Sequence, residues 1–497
     1  MIKDKVTQTV SRKRRAGVLL HPTSFPGEED NGDIGHKTYR FIEFLNVNGF
    51  KVWQMLPLGP THNDKSPYQC LSSHAGNPLL ISLDWLVDKG WLDKSKINII
   101  TEEKNYRLAC LQHASHEFYK NKEKNWLDKL TKFKNKHAYW LDDFALFMAL
   151  KGRYLCKPWY EWPAELRHRE VKALQEAKDE LQANIEQIVF EQFIFFTQWQ
   201  EIRNYAKKFG IELFGDVPIF VARDSADVWA KRENFLMDKD GNMEVIAGVP
   251  PDAFSETGQR WGNPLYDWDY MQSTSFSWWK ERFNTQLALF DMVRIDHFRG
   301  LQACWEIPES EKTAINGRWV EVPGREMLRE LFSTIDYLPL VAEDLGVITD
   351  PVIKLKNDFN LPGMKVLQFA FDGNNANPHL PHNHQPEDVV YTGTHDNDTT
   401  FGWVINEENY NRRYFEDYTA NKLETDESGV LELIRLAMSS VSFLAIIPMQ
   451  DLLMLDSTAR MNMPGTVGDN WHWRFNWKQI RPEIIDSILY FMKLYQR

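Results

Sequence analysis

Eight short runs of mostly apolar residues recur along the chain, and most of them end abruptly in polar or charged residues. The runs are AGVLLH (16–21), VWQMLPL (52–58), IELFGDVPI (211–219), FDMVRIDH (290–297), PLVAEDLG (339–346), MKVLQFAFD (364–372), VVYTGTHD (389–396) and LAIIPMQD (444–451). Their apolar residues are nearly continuous rather than alternating, as is typical of strands buried on both faces of a parallel sheet. The pattern therefore predicts eight parallel strands.

Helical periodicity fills several of the segments between these runs, for instance residues 38–49 and 325–335. Strands that alternate with helices indicate the α/β class, and eight such strands fit a closed (β/α)8 TIM barrel. The prediction is a single barrel that spans residues 16–497 and follows a basic tail at residues 1–15.

Two segments are too long to be simple connections between neighbouring strands. Residues from about 85 to 205 have mostly helical patterns, and we expect them to form a helical insertion between strands 2 and 3. Residues from about 222 to 275 are rich in Gly, Pro, Asp and aromatic residues, which predicts a long ordered loop over the mouth of the barrel.

Composition narrows the class of partner. The 497 residues include 58 Lys plus Arg and 70 Asp plus Glu, which gives a formal net charge of −12. This acidic balance argues against nucleic acid or an anionic membrane as a partner, because both need a basic face. No apolar run reaches the roughly 18 residues of a membrane helix. Aromatic residues make up 13%, with 19 Trp, and flat rings with a polar edge suit a groove that binds sugars.

Cysteine usage and the N-terminal residues bear on the compartment. The four cysteines are scattered, with no CxxC pair, which indicates a reducing compartment rather than a disulfide framework or a zinc site. The basic cluster at residues 12–15 has no signal-peptide apolar region beside it. The expected location is the cytoplasm, or the plastid stroma for a mature plastid protein. The sequence leaves the oligomeric state open.

Acidic residues fall at the C-terminal ends of four predicted strands: Asp216, Asp296, Glu343 and Asp396. Active sites of (β/α)8 barrels are built at that end, so these side chains should converge. Cleaving a glycosidic bond with retention needs a nucleophilic carboxylate and a second carboxyl that donates and then recovers a proton. Arg294 lies on the same strand face as Asp296 and would keep it ionised. The spacing alone leaves open which acid has which role.

Four segments with these acids, VRIDHFRG (293–300), VAEDLG (341–346), YTGTHDNDTT (391–400) and FGDVPIFV (214–221), resemble motifs of a known enzyme family. It is the 4-α-glucanotransferases, also called amylomaltases or disproportionating enzymes, which are relatives of the α-amylases. Narrower family motifs are matched by HPTSFPG (21–27), SPYQ (66–69), AGNPLL (75–80), GVPPDAFSETGQRWGNPLY (248–266), PMQDLL (448–453), ARMNMPGT (459–466) and NWHWR (470–474). The resemblance runs in order from about residue 16 to 475.

The resemblance implies a role for each matched residue. Asp296 would be the nucleophile that forms a glucosyl-enzyme, Glu343 the acid/base, and Asp396 the acid that binds ring hydroxyls and distorts the donor sugar. Substrate contacts are implied for a further set of residues: Tyr68, Asp216, Asp252, Trp261, Arg294, His395 and Asn462. Malto-oligosaccharides and other α-1,4-glucans would be donors and acceptors, with glucose as a further acceptor.

The chain departs from the family pattern at a few positions. Ala253 stands where the family pattern has an aromatic residue, and Cys70 and His74 interrupt the stretch after SPYQ. We expect these changes to affect the acceptor range and the preferred glucan length rather than the catalytic set.

A histidine cluster, His379, His382 and His384, suggests metal binding at first sight. Its loop is rich in Pro and Asn and has no helix to hold ligands in register. The resembling family needs no catalytic metal, so neither a metal nor a cofactor is expected.

Two other functions are compatible with parts of this pattern. An α-glucan hydrolase would use the same carboxylates and differ only in whether water or a sugar attacks the intermediate. A catalytically inert glycan-binding protein on a barrel scaffold would belong to another class, and loss of one of the three central acids would favour it. All three acids are present, and the narrower motifs favour transfer.

Overall fold

The computed structural model describes residues 11–27, 31–95, 106–251, 255–406, 411–466 and 468–497. The strands are β1 (Arg15–Leu19), β2 (Val52–Gln54), β3 (Glu212–Val217), β4 (Val245–Val249), β5 (Gln259–Pro264), β6 (Met292–Ile295), β7 (Ala303–Pro308), β8 (Arg318–Glu321), β9 (Leu340–Ala342), β10 (Met364–Val366), β11 (Val389–Tyr391) and β12 (Leu444–Pro448).

The helices, like the strands, are numbered in chain order. They are α1 (His36–Val47), α2 (Leu83–Asp88), α3 (Tyr106–Asn121), α4 (Lys124–His137), α5 (Leu141–Arg153), α6 (Ala164–Arg167), α7 (Val171–Glu180), α8 (Gln182–Lys208), α9 (Ala226–Ala230), α10 (Trp268–Ser273), α11 (Ser277–Leu289), α12 (Gly324–Thr334), α13 (Asp350–Asp358), α14 (Thr400–Ile405), α15 (Arg412–Thr419), α16 (Asp426–Ser439), α17 (Met449–Leu452) and α18 (Pro482–Leu494).

Eight strands form one parallel sheet in the order β10-β11-β12-β1-β2-β3-β6-β9. The sheet curls until its two edges almost meet, where the Ala342 N–H donates a 2.8 Å hydrogen bond to the Pro362 carbonyl. The predicted (β/α)8 barrel is confirmed. Each strand comes from one of the eight apolar runs, although several strands are only three residues long.

The continuous apolar pattern has a direct structural cause, since both faces of each barrel strand are buried. One set of side chains, which includes Val52, Phe214 and Ile446, packs together in the barrel interior. Residues on the opposite faces, such as Val18 and Val293, belong to the larger core formed with the helices. A barrel strand therefore has few solvent-facing positions at which polar residues could alternate.

A helical insertion occupies the chain between β2 and β3, as predicted, and comprises α2 to α8. Its long helix α8 is joined to the segment before α2 by two glutamine side chains. Gln192 accepts from the Gly76 N–H at 2.8 Å and donates to the Gly76 carbonyl at 2.9 Å. Gln198 makes the same pair of bonds with Ser82, at 2.8 and 3.2 Å. The insertion thereby fixes the chain that follows the SPYQ motif.

A second, antiparallel sheet has the order β5-β4-β7-β8. Its first two strands lie within the segment predicted as a long ordered loop, so that segment is partly β-structure. The other two strands come from residues 303–321, and β7 begins 39 residues after the end of β5. The local pattern does not reveal this sheet, because its strands are short and its central pair, β4 with β7, joins distant segments.

In the described part of the chain, none of the helices combines the length and apolar character that a membrane span requires.

Candidate active site

The four predicted carboxylates lie at the C-terminal ends of barrel strands. Asp216 is the penultimate residue of β3, while Asp296 and Glu343 directly follow β6 and β9. Asp396 lies in the turn after β11. Because β3, β6 and β9 are neighbours in the sheet, three of these acids come from adjacent strands.

Arg294 connects two of the carboxylates. It stands opposite Asp216 in the register of β3 and β6. Its Nε donates to Asp216 Oδ1 at 3.0 Å, and its Nη2 lies 2.9 Å from Asp216 Oδ2. The same Nη2 donates to Asp296 Oδ1 at 2.6 Å. One guanidinium thus orients both acids through charge-assisted hydrogen bonds.

Electrostatics of this cluster follow from burial and from the crowding of like charges. Burial raises the pKa of Asp296 well above its usual range, with Arg294 acting in the opposite direction and Asp216 and Glu343 raising it further. Burial alone would lower the pKa of Arg294, but the surrounding acids, with Asp216 foremost, hold it well above its ordinary value. Arg294 is therefore a permanent cation in the site.

Glu343 is held by the backbone rather than by a cation. The His297 N–H donates to its Oε2 at 2.6 Å, and the Leu345 N–H donates to its Oε1 at 2.9 Å. His297 adopts a left-handed conformation, with φ of 50°, directly after Asp296. Burial raises the pKa of Glu343 above the ordinary 4.5. A raised pKa keeps a carboxyl protonated towards neutral pH, which suits a proton donor.

Asp396 is the most exposed of the three central acids, with 47% of its side chain accessible. Asn462 Nδ2 donates to its Oδ1 at 2.7 Å, and His395 Nε2 lies 3.3 Å from its Oδ2. Arg460 Nη2 donates to the Asp396 carbonyl at 2.6 Å. The loop that contains Arg460 and Asn462 therefore fixes both the backbone and the carboxylate of Asp396.

Tyr68 contacts two of the other predicted residues, Asp216 and His395. Its hydroxyl donates to Asp216 Oδ2 at 2.7 Å, and its ring stacks on His395 with a centroid distance of 5.1 Å. Trp471 contacts both rings, with centroid distances of 6.0 Å to Tyr68 and 5.9 Å to His395. Burial lowers the pKa of His395, so the ring next to Asp396 is a neutral donor or acceptor at neutral pH.

These side chains surround a cavity of about 500 Å³. It brings together seven of the predicted residues: Tyr68, Trp261, Arg294, Asp296, Glu343, Asp396 and Asn462. Asp216 and His395 lie behind this surface and contact residues that form it. Asp252, and with it Ala253, lies outside the described residues. The volume is that of a small-molecule site.

Several residues of the site have structural roles that the sequence reasoning missed. The backbone of His297, the side chain of Arg460 and the ring of Trp471 each contact a predicted residue, and all three lie inside motifs that resemble the family. Arg299 and Trp319 also border the cavity. Trp319 lies outside every quoted motif, so no local pattern would have pointed to it.

Two of the residues that depart from the family pattern, His74 and Cys70, do not border the cavity. His74 is 5% exposed, its Nδ1 is 2.8 Å from Thr285 Oγ1, and its ring stacks on Trp140 of the helical insertion. Cys70 Sγ donates to the Pro67 carbonyl at 3.0 Å. Neither residue borders the 500 Å³ cavity, so any effect on the acceptor would have to be indirect.

The three histidines of the 379–384 loop bind protein groups. His379 Nδ1 accepts from the Val366 N–H at 3.1 Å, and His384 is 2.7 Å from Ser440 Oγ and 2.8 Å from the His379 carbonyl. His382 contacts the Tyr418 hydroxyl. Among the residues that the structure describes, no group of three or more His, Cys, Asp or Glu side chains is arranged to hold a metal ion.

A barrel whose strand ends present clustered carboxylates around an open cavity has the architecture of an enzyme that acts on glycosidic bonds. Comparison with known proteins identifies the family to which this chain belongs. Residues 20–479 match the family model described as 4-alpha-glucanotransferase. The chain belongs to the 4-alpha-glucanotransferase family.

Individual relatives are similar in sequence over nearly the whole length of this chain. A 4-alpha-glucanotransferase from Synechocystis is 45% identical over 98% of both chains, and one from Thermus thermophilus is 46% identical over 95% of this chain and 96% of its own. The solved amylomaltase from Streptococcus agalactiae, in complex with acarbose, superimposes with a TM-score of 0.93 at 35% identity. That match covers 98% of this chain and 100% of the amylomaltase.

Proposed function

We propose that the protein transfers segments of α-1,4-glucan from one malto-oligosaccharide to another. Membership of the 4-alpha-glucanotransferase family supports this proposal, because the family model matches residues 20–479. The observation that carries the proposal for this chain's own residues is that Asp296, Glu343 and Asp396 border one cavity. All three acids are present, as a functional carboxylate set requires.

Asp296 acts as the nucleophile, and Glu343 acts as the acid/base. Burial raises the pKa of both acids. We assign the proton of the pair to Glu343, because Arg294 donates to Asp296 Oδ1 at 2.6 Å and favours the ionised form of Asp296. Glu343 gives this proton to the departing glycosidic oxygen as an Asp296 oxygen bonds to C1, and it recovers a proton from the acceptor hydroxyl in the second step.

The remaining residues bind and orient the donor sugar. Asp396, aligned by Asn462, accepts hydrogen bonds from ring hydroxyls as the sugar flattens towards an oxocarbenium-like transition state. Tyr68 provides a ring surface for the donor glucose, and Asp216 holds Arg294 and Tyr68 in place. Trp261 borders the cavity on the acceptor side. Asp252 is assigned to the same side by its motif alone.

Transfer and hydrolysis are distinguished by their products. Incubated with maltotriose, the protein should release glucose and form longer oligosaccharides, because a sugar hydroxyl attacks the glucosyl-enzyme. Free glucose should also serve as an acceptor when it is added to longer donors. Chromatography of the products that shows only shortened chains would mean hydrolysis and would refute the proposal.

An inert glycan-binding protein would behave differently when the nucleophile is removed. Asp296→Ala should lose turnover by about 10⁴-fold or more, because the covalent intermediate cannot form. Binding of a malto-oligosaccharide, measured by calorimetry, should persist. Turnover that is the same in Asp296→Ala and in the unmodified protein would show that Asp296 is not the nucleophile.

We assign the reaction to the cytoplasm. The scattered cysteines support a reducing compartment, although relatives from potato and Arabidopsis are named as chloroplastic or amyloplastic enzymes. Fractionation of the source cells, followed by immunodetection, tests this assignment, and detection in a plastid fraction would contradict it.

A further inference from the structure

The cavity that holds the carboxylates extends to a wall formed by the second sheet. Trp319 of β8 is part of this wall, and 37% of its surface is accessible. β8 is the edge strand of the order β5-β4-β7-β8. An indole ring this exposed inside a cavity is a large, flat apolar surface that a ligand can cover.

The Trp319 ring is held in place by its neighbours. The guanidinium carbon of Arg299 lies 3.6 Å from the ring centroid, over one face of the indole. Trp305 is paired with Trp319 in the register of β7 and β8, and its ring makes an edge contact at 5.2 Å. A ring held by two neighbours loses little freedom when a ligand covers its exposed surface.

Arg299 connects this ring to the reacting groups. It follows Asp296 by three residues, a backbone distance of at most about 11 Å. Its own side chain is 7% exposed and donates to the carbonyl of Val347, which lies in the segment after Glu343. Trp319 therefore lies within reach of an oligosaccharide bound at the carboxylates.

The role of Glu343 indicates on which side of the scissile bond the acceptor binds. An acid/base residue protonates the oxygen of the leaving sugar and later activates the incoming hydroxyl, so it stands on the acceptor side of the scissile bond. Arg299 links Trp319 to the segment that follows Glu343, the acid/base residue.

We propose that Trp319 is a stacking platform for an acceptor glucan beyond its first glucose, so that longer malto-oligosaccharides are better acceptors than glucose. The proposal rests on the glucan-transferring function proposed above. The apolar face of a pyranose ring covers the exposed surface of the indole, and the edges of the sugar keep their hydroxyls in solvent. Glucose, which fills only the first acceptor position, does not reach the platform.

The test separates the acceptor from the donor. α-Maltosyl fluoride serves as the donor, because its fluoride leaving group occupies no acceptor sugar position. Transfer is then measured to glucose and to maltotetraose. In Trp319→Ala, kcat/KM for maltotetraose should fall about five- to tenfold, while the value for glucose stays unchanged. Trp319→Phe, which keeps an aromatic face, should show a smaller loss.

Ile315→Ala is the matched control, since Ile315 is 51% exposed on the turn before β8 and does not border the cavity. It should leave both acceptors unchanged. Equal losses of kcat/KM for glucose and maltotetraose in the Trp319 variants, or no loss for either acceptor, would refute the proposed stacking role of Trp319. Failure of the unmodified protein to transfer to any acceptor while it releases fluoride would instead refute the proposed function.

Discussion

Arg294 is the residue on which the electrostatics of the site depend. It forms hydrogen bonds to Asp216 and Asp296 and also donates to the Tyr68 hydroxyl at 3.3 Å. A lysine at this position has a single ammonium group and could not reproduce the forked geometry. Removing the guanidinium would leave Asp216 and Asp296 without their shared cation and would raise the pKa of Asp296 further.

The raised pKa of Glu343 predicts how the rate of the first catalytic step depends on pH. A raised pKa means that the carboxyl stays protonated to higher pH than an ordinary glutamate, and the first step slows only as the pH rises past that value. Glu343→Gln should lose about 10²–10⁴-fold in kcat/KM with malto-oligosaccharides and should lack the alkaline decline. With α-maltosyl fluoride, whose leaving group needs no proton, fluoride release in a pre-steady-state burst should stay close to normal.

Glu176→Gln, on the exposed surface of α7, provides the control for loss of a glutamate charge and should leave the pH profile unchanged. If the alkaline decline persists in Glu343→Gln, another group donates the proton.

Among the elements, α8 connects the helical insertion to the chain between β2 and α2. Its residues Gln192 and Gln198 each satisfy one backbone N–H and one carbonyl of the segment that follows the SPYQ motif. Gly76 has no room for a side chain, because an added Cβ would lie 1.9 Å from the Phe195 ring. The helix thus positions the loop of Tyr68 through buried, directional contacts.

Gln192→Ala should destabilise the protein by about 2–4 kcal/mol, because it leaves the N–H and carbonyl of Gly76 buried without their partners. Thermal unfolding followed by circular dichroism measures the change as a lower Tm. Gln200→Ala on the same helix is the matched control, since the Gln200 side chain is exposed and bonds to the exposed side chain of Asn204 at 3.1 Å. Equal Tm values for the two variants would contradict a structural role for Gln192.

At the scale of the whole molecule, the barrel is closed by contacts between its first and last strands. β1 lies between β12 and β2, so the first and last barrel strands are neighbours. The guanidinium of Arg497 donates to the carbonyls of Met438, Ser442, Ala437 and Ser440 at 2.7–3.0 Å, while Arg14 donates to Ser440 and Tyr495. These two cations satisfy carbonyls at the C-terminal end of α16, where helix carbonyls lack internal partners.

Arg497→Gln should therefore lower the stability of the entire barrel by about 1–3 kcal/mol, because several carbonyls lose a charged donor. Chemical denaturation monitored by tryptophan fluorescence measures the free energy of unfolding. Lys493→Gln removes a charge from an exposed position near the end of α18, four residues before Arg497, and should have little effect. A comparable loss in both variants would indicate a general charge effect rather than the carbonyl contacts.

The sequence by itself determined the barrel and the location of its chemistry. The runs that contain Val18, Phe214 and Ile446 are apolar on both faces, and this continuous pattern identifies parallel strands wherever they lie. Parallel barrel strands share one C-terminal face, so Asp296 and Glu343 could be brought together by topology alone. The family resemblance then implied a separate role for each acid, which chain spacing left open.

Only the tertiary structure decided which side chains touch. Arg294 was expected to pair with Asp296, yet it also holds Asp216 from another strand, because the register of β3 and β6 places them opposite each other. Trp319 belongs to a sheet in which β4 and β7 pair across more than 50 residues, and it borders the cavity. Register and pairing depend on contacts between distant segments, and a local pattern of apolar and polar residues contains no information about them.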